Sequence, residues 1–245
     1  MHSTWCDGNA SPVQMVEAAI SKGFTTIGFS SHGNAWYDKF DSLKESDIYS
    51  YCRELKNLKQ QYEGRINIFC GIEQDSWSLT PTTAFDYVIG SVHYILVNKF
   101  YAFLDLNPDL FAFAADEYFK GDYYSLCEEY YRQVATVVQR TDCDIIGHMD
   151  LVSKFNEKYK FFDENHPRYV KAWQQAADTL LATGRFFEIN TGIVAKGWRS
   201  NPFPAPKIIA YLKSGGARFV LSGDAHRIED IGYGFEDYAD LYKLR

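Results

Sequence analysis

The sequence predicts an α/β fold in which parallel strands alternate with helices, and two observations support this prediction. Short apolar runs rich in β-branched and aromatic residues are separated by longer amphipathic runs, which is the pattern of strand-helix units around a parallel sheet or barrel. Ionisable side chains follow most of the apolar runs, as expected where the ends of parallel strands form a common site. The predicted strands cover residues 25–30, 66–71, 87–91, 144–147, 186–189 and 218–222.

The helices are predicted from apolar spacing and from residues that favour helix ends. Ser11 supplies a capping hydroxyl, Pro12 suits the first turn, and Gly23 marks the end of the first helix. Comparable patterns predict helices near residues 46–62, 123–139, 167–183 and 206–214. The aromatic segment at residues 94–121 has no clean period. Two interpretations are open for it: a loop over the active site, or an insertion that packs on the barrel.

Composition restricts the class of protein. With 46% hydrophobic residues and no polar or Pro/Gly-rich linker, residues 1–245 are expected to form one domain, without a signal peptide or membrane span. The five cysteines are widely spaced and include no Cys-x-x-Cys pair, which favours reduced thiols in a cytoplasmic protein. A net charge of -7 argues against nucleic acid and favours a small-molecule partner. The sequence does not indicate whether the protein is a monomer or a homo-oligomer.

The histidines carry the main functional signal. Of the six, all except His166 stand just after a predicted strand or in the opening segment, and several carboxylates share these positions. Imidazole and carboxylate groups together suit Zn, Mn or Fe. Because the candidates are too numerous for one tetrahedral ion, we expect two or three ions around a bridging carboxylate, for which Glu73 is the candidate. The predicted ligands are His2, Asp7, His32, Glu73, His93, His148, Asp224 and His226.

Other catalytic classes fit the sequence less well. It contains no Gly-x-x-x-x-Gly-Lys-Ser/Thr loop for a nucleotide, no Gly-x-Gly-x-x-Gly dinucleotide fingerprint and no Gly-x-Ser-x-Gly nucleophile elbow. The predicted nucleophile is therefore a water molecule that bound metal activates.

Seven segments occur in the order found in the polymerase-and-histidinol-phosphatase (PHP) family, and the chain resembles that family over nearly its whole length. The resemblance implies a distorted (β/α)7 barrel of the TIM-like type, with the metal site at the C-terminal ends of the strands. Residues 147–156 and 190–204 are similar to family members that hydrolyse histidinol phosphate. The seven segments are HSTWCDG at 2–8, GFSSHG at 28–33, GIE at 71–73, GSVHY at 90–94, IGHMD at 146–150, EINTG at 188–192 and SGDAHR at 222–227.

The resemblance also implies how the ligands are shared among three ions. Glu73 would bridge the first two ions, and catalysis would depend on Glu73, Asp224 and His226 through the bound metals. The family motif opens His-x-His, whereas only its second histidine, His2, is present here; we therefore expect a few native residues before Met1. The implied sets are His2, Glu73 and Asp224 for the first ion, Glu73, His93 and His148 for the second, and Asp7, His32 and His226 for the third.

The implied activity is metal-dependent hydrolysis of a phosphomonoester, with L-histidinol phosphate of histidine biosynthesis as the expected substrate. A phosphate dianion also needs cationic contacts outside the metal shell, and a guanidinium group matches its oxygens geometrically. Arg199 is the first candidate for such a contact, followed by Lys196 and Arg227.

Several alternatives are open. A PHP enzyme could act on another small phosphate ester or on nucleic acid, and a PHP domain could serve as a non-catalytic module. An amidohydrolase-like enzyme also places His and Asp at strand ends, but the metal-bridging lysine usual in that class has no obvious counterpart here.

Overall fold

The computed structural model describes residues 1–38 and 41–242. Its centre is a curled parallel sheet, and a separate antiparallel hairpin lies beside it. The strands are β1 Thr26–His32, β2 Asn67–Asp75, β3 Tyr87–Ser91, β4 Tyr94–Val97, β5 Phe100–Phe103, β6 Ile145–Ile146, β7 Phe186–Asn190 and β8 Arg218–Ser222. The six-stranded sheet has the order β1-β2-β3-β6-β7-β8, and β4 and β5 form the hairpin.

Helices connect the strands. Pro12 occupies the first turn of the first helix, and the side chain of Ser11 caps it by accepting a hydrogen bond from the backbone amide of Gln14. No helix within the described ranges is long and apolar enough to cross a membrane. The α-helices are α1 Pro12–Ser21, α2 Ile48–Gln61, α3 Pro108–Phe119, α4 Tyr123–Val134, α5 Val137–Thr141, α6 Asn156–Tyr159, α7 Pro167–Leu181, α8 Gly192–Ala195, α9 Pro206–Ser214 and α10 Ala239–Tyr242.

The predicted α/β fold is confirmed, and all six predicted strands lie in the parallel sheet. The bounds differ at two strands: β2 continues to Asp75, whereas β6 contains only Ile145 and Ile146. The helix predicted at residues 123–139 is divided into α4 and α5. The segment at residues 94–121 contains the β4-β5 hairpin and α3, whose Phe111 is buried in the core.

The first two residues of the chain run between β1 and the segment after β8. The amino group of Met1 donates to the carbonyl oxygen of Gly28 at 2.9 Å, and the Ser30 amide donates to the Met1 carbonyl at 2.9 Å. On the other side, the His2 amide donates to the carbonyl oxygen of Ala225 at 2.9 Å. These bonds link the two edges of the curled sheet and hold His2 at its C-terminal end.

Tyr87 fills the space inside the curled sheet beside β1 and β2. A Cβ atom at Gly71 would lie 2.3 Å from the Tyr87 ring, and one at Gly28 would lie 2.4 Å from its hydroxyl. That hydroxyl donates to the backbone carbonyl oxygen of Phe29 at 2.9 Å. A side chain at either position would therefore have to displace the Tyr87 ring, and glycine lets this ring pack directly against both strands.

Candidate metal centre

The predicted ligands converge at the C-terminal end of the parallel sheet. His32 is the last residue of β1 and Glu73 lies near the end of β2, whereas His93, His148 and Asp224 each stand two residues after a strand. Parallel strands place these ends on one face, so residues far apart in sequence share a cavity of about 210 Å³. The predicted ligands that line this cavity are Asp7, His32, Glu73, His93, His148, Asp224 and His226, and His2 is buried behind it.

Glu73 stands at the centre of this cluster and presents a different oxygen to each side. Its Oε2 atom lies 3.3 Å from Nε2 of His2 and 3.5 Å from Nδ1 of His32. Its Oε1 atom lies 2.9 Å from Nε2 of His148 and 3.4 Å from Nε2 of His93. A carboxylate in this position can contribute one oxygen to each of two adjacent ions.

Two further carboxylates complete the cluster on the side of His2. Asp224 Oδ1 lies 3.0 Å from His2 Nε2, and Asp7 Oδ2 lies 2.9 Å from His226 Nε2. The imidazole rings of His2 and His226 stack with their centroids 4.1 Å apart.

Burial would favour neutral carboxylic acids here, but the surrounding charges outweigh it. Burial raises the pKa of Glu73, yet the charges of His32 and His93 and the hydrogen bonds from His148 and His2 hold it well below its usual value. The pKa of Asp224 is likewise held well below its usual value, because Lys196 and His226 outweigh the effect of burial. Both groups are therefore ionised at neutral pH, as metal ligation requires.

The donor set fits divalent transition-metal ions. Three groups of residues could each hold an ion, because within each group the potential ligand atoms all lie within 4.8 Å of one another. The Oδ1 atom of Asp7 and the Nδ1 atom of His148 are buried without a hydrogen-bond partner among the described residues. Soft-to-borderline nitrogen ligands combined with carboxylates are typical of Zn, Mn and Fe sites. The three groups are His2, Asp7, His32 and His226; His32, Glu73 and His93; and His2, Glu73 and Asp224.

These groups overlap with the implied ligand sets without being identical to them. His2, Glu73 and Asp224 form the first implied set. His32 also approaches Glu73, and His148 belongs to none of the three groups although it lies next to Glu73.

Asp75 supports His93 and was missed in the sequence. Its Oδ2 atom accepts a hydrogen bond from the backbone amide of His93 at 2.9 Å and lies 3.6 Å from the Nδ1 atom of that imidazole. Its Oδ1 atom accepts hydrogen bonds from the Tyr37 hydroxyl and the Trp77 amide, at 2.7 and 3.0 Å. The spacing from Glu73 could have indicated this role, because residues i and i+2 of a strand share a face.

The cationic side chains that line the cavity differ in part from those predicted to contact phosphate. Lys196 lines the cavity with its Nζ atom 3.1 Å from Asp224 Oδ2, and Lys154, which was not among the predicted phosphate contacts, also lines it. Arg227 pairs with Asp230 at 2.9 Å and is not a lining residue.

Arg199 is buried behind the cavity rather than in its lining. Its Nη1 atom donates to the backbone carbonyl oxygen of Ser153 at 2.6 Å and to Glu164 at 3.0 Å, and its Nη2 atom donates to Glu164 at 3.2 Å. The guanidinium group thus holds the loop that carries Lys154.

The hairpin segment forms another part of the cavity wall. Tyr94, Phe103, Asp105 and Leu106 line the cavity, while Leu104 and other side chains of the segment lie in the core. Both open interpretations of residues 94–121 therefore hold in part: the segment borders the cavity, and it also packs on the sheet and helices.

A curled parallel sheet with imidazole and carboxylate groups clustered at its C-terminal strand ends is the arrangement of TIM-like α/β barrels, whose active sites lie at that face. The chain belongs to the PHP domain family, whose sequence profile matches residues 1–192.

Similar proteins carry a consistent name. A Deinococcus radiodurans protein named "Probable histidinol-phosphatase" is 29% identical over 97% of this chain and 88% of its own length. The "Histidinol-phosphatase" of Bacillus subtilis is 23% identical over 98% of this chain and 97% of its own. The fold matches a Lactococcus lactis histidinol phosphate phosphatase solved with Zn, L-histidinol and phosphate, with a TM-score of 0.70, 20% identity and coverage of 93% and 85%. A candidate histidinol phosphatase from Listeria monocytogenes matches with a TM-score of 0.82, 18% identity and 97% coverage of both chains.

Proposed function

We propose that this protein is a metal-dependent phosphomonoesterase that hydrolyses L-histidinol phosphate to L-histidinol and phosphate in cytoplasmic histidine biosynthesis. The observation that carries the proposal is the position of Glu73 in the cavity wall. Each of its two carboxylate oxygens lies close to a different pair of imidazole rings. The names of the similar proteins support the same substrate.

We assign the cluster to two or three divalent ions of Zn, Mn or Fe. When bound, such ions supply an activated water as nucleophile and neutralise charge that develops on the phosphate oxygens. Glu73 would be a ligand of two ions, and Asp224 and His226 would contribute to catalysis as metal ligands. The full proposed ligand set is His2, Asp7, His32, Glu73, His93, His148, Asp224 and His226.

The residues of the chain would bind and orient the ester. Lys196 is the proposed phosphate contact, because its Nζ atom lies 3.1 Å from a carboxylate of the cluster. Lys154 would supply a second cation from a different loop. Asp38 and Asp41 also line the cavity, and their negative charge disfavours a polyanion such as nucleic acid.

The proposal is tested with protein that is stripped of metal and reloaded with Zn, Mn or Fe. We expect kcat/KM for phosphate release from L-histidinol phosphate to exceed that from nucleotides or short DNA by at least about 100-fold. The reverse preference would indicate a different PHP phosphoesterase. Protein that binds no transition metal and hydrolyses no ester would instead be a non-catalytic module.

A further inference from the structure

Asp105 is one of several carboxylates in the cavity wall that do not belong to the proposed ligand set. Asp105 follows the β4-β5 hairpin and lines the cavity. Phe103 and Leu106, which flank it in the sequence, line the cavity as well. Burial opposes its charge, but Lys154 and then His93 outweigh this effect and lower the pKa of Asp105. The cavity therefore carries a negative charge close to an apolar surface.

The backbone around Asp105 is fixed relative to the metal cluster. The Leu104 amide donates to the carbonyl oxygen of His93 at 3.2 Å, and the Leu104 side chain is fully buried. The carbonyl oxygen of Asp105 accepts a hydrogen bond from Lys154 Nζ at 2.6 Å. The backbone that carries Asp105 is thus anchored next to His93, a predicted ligand, as support of a specificity-determining group requires.

The Asp105 carboxylate has capacity for a further donor. Its Oδ2 atom lies 3.5 Å from Lys154 Nζ, which is longer than the roughly 2.7–2.9 Å typical of an ionic hydrogen bond. An ionised carboxylate offers about four acceptor positions. Its side chain is 24% exposed, so a molecule in the cavity can reach it.

We propose that Asp105 binds the ammonium group of an amine-bearing phosphomonoester and so gives the enzyme its preference for aminoalkyl phosphates. The inference rests on the proposed function, because it places the phosphate group at the metal ligands and Lys196. Phe103 and Leu106 then contact the carbon portion of the substrate, and the carboxylate meets its cationic substituent. Esters with neutral or anionic groups at this position lack that ion pair.

The test measures binding of the two halves of the substrate to metal-loaded protein by calorimetry. The probes are L-histidinol, its analogue without the amino group, and inorganic phosphate. We expect Asp105→Asn to weaken L-histidinol binding about 30-fold, as loss of a charged hydrogen bond predicts. Binding of the deamino analogue and of phosphate should change by less than about 3-fold. Asp142→Asn is the matched control, since that side chain is 87% exposed on another part of the surface.

A second variant separates recognition of the amine from support of Lys154. Lys154→Met should weaken phosphate binding and leave the preference for L-histidinol over its deamino analogue unchanged. Asp105 does not bind the ammonium group if Asp105→Asn changes the binding of the three probes in the same way as Lys154→Met. The same conclusion follows if Asp105→Asn leaves L-histidinol binding unaltered. Circular dichroism and thermal unfolding verify that each variant is folded.

The two proposals can fail separately. Failure to release phosphate from any ester would contradict the proposed function. The binding of L-histidinol to the Asp105→Asn variant would still test the role of Asp105. Conversely, an active phosphatase whose Asp105→Asn variant loses kcat/KM equally for L-histidinol phosphate and for its deamino analogue would overturn only the role of Asp105.

Discussion

Glu73 and His148 are 75 residues apart in the sequence, and their Oε1 and Nε2 atoms lie 2.9 Å apart. Ser91 reinforces this arrangement by donating its hydroxyl to the same Oε1 atom at 2.6 Å. The second oxygen of Glu73 faces His2 and His32. With His93, which lies 3.4 Å from Oε1, this one carboxylate connects β2 to ligands from four other parts of the chain.

Replacement of this carboxylate tests the proposed bridge. We expect Glu73→Gln to reduce metal content and to lower kcat by more than about 100-fold, because even indirect metal partners commonly contribute 10–100-fold. Elemental analysis and phosphate release measure the two effects. Glu45→Gln, an exposed change outside the cavity, is the control. Unaltered metal content in Glu73→Gln would contradict a bridging role.

Metal removal should lower stability as well as activity. Ions that bind only the folded state stabilise it by mass action, at about 2.7 kcal/mol when their concentration is 100 times Kd. We expect chelation to lower Tm and abolish phosphate release, and Zn, Mn or Fe to restore both. Restoration by Mg or Ca alone would argue against an imidazole-based site. Differential scanning fluorimetry with parallel assays makes this comparison.

The support of His93 by Asp75 gives a prediction about metal affinity. Asp75→Asn keeps an oxygen near the His93 amide but removes the charge 3.6 Å from Nδ1. Loss of such a partner is expected to weaken metal binding about 10- to 100-fold with little change in fold. A competitive metal titration measures the effect, with the exposed Asp116→Asn as control. Equal affinities would show that the carboxylate serves only the local backbone.

Arg199 should contribute mainly to stability. Arg199→Gln leaves the partly buried Glu164 without its bidentate partner and is expected to lower the free energy of unfolding by about 3 kcal/mol. The more exposed Arg168 ion pairs provide the control, since Arg168→Gln should cost no more than about 1 kcal/mol. Urea unfolding measures both. A large rise in KM without loss of stability would restore the expectation that Arg199 contacts substrate.

The sequence located the strands well because their apolar runs are short, buried and bounded by turn residues. The bounds of β3 and β8 agree with those predicted, whereas β6 has only two residues. The hairpin at residues 94–103 was not predicted, because its aromatic side chains lie both in the core and along the cavity and so leave no clean alternation.

The ligand cluster was predictable because parallel strands bring their C-terminal ends to one face whatever the details of packing. Tertiary structure decided which cationic side chains, and which carboxylates other than the predicted ligands, reach the cavity. Arg199 and Lys154 lie on neighbouring loops with the same sign of charge, but packing turns one guanidinium inward to Ser153 and Glu164 and leaves the ammonium at the cavity. Sequence determined which residues stand at strand ends, and only the three-dimensional packing decided where the long side chains point, because each has several rotamers of similar intrinsic energy.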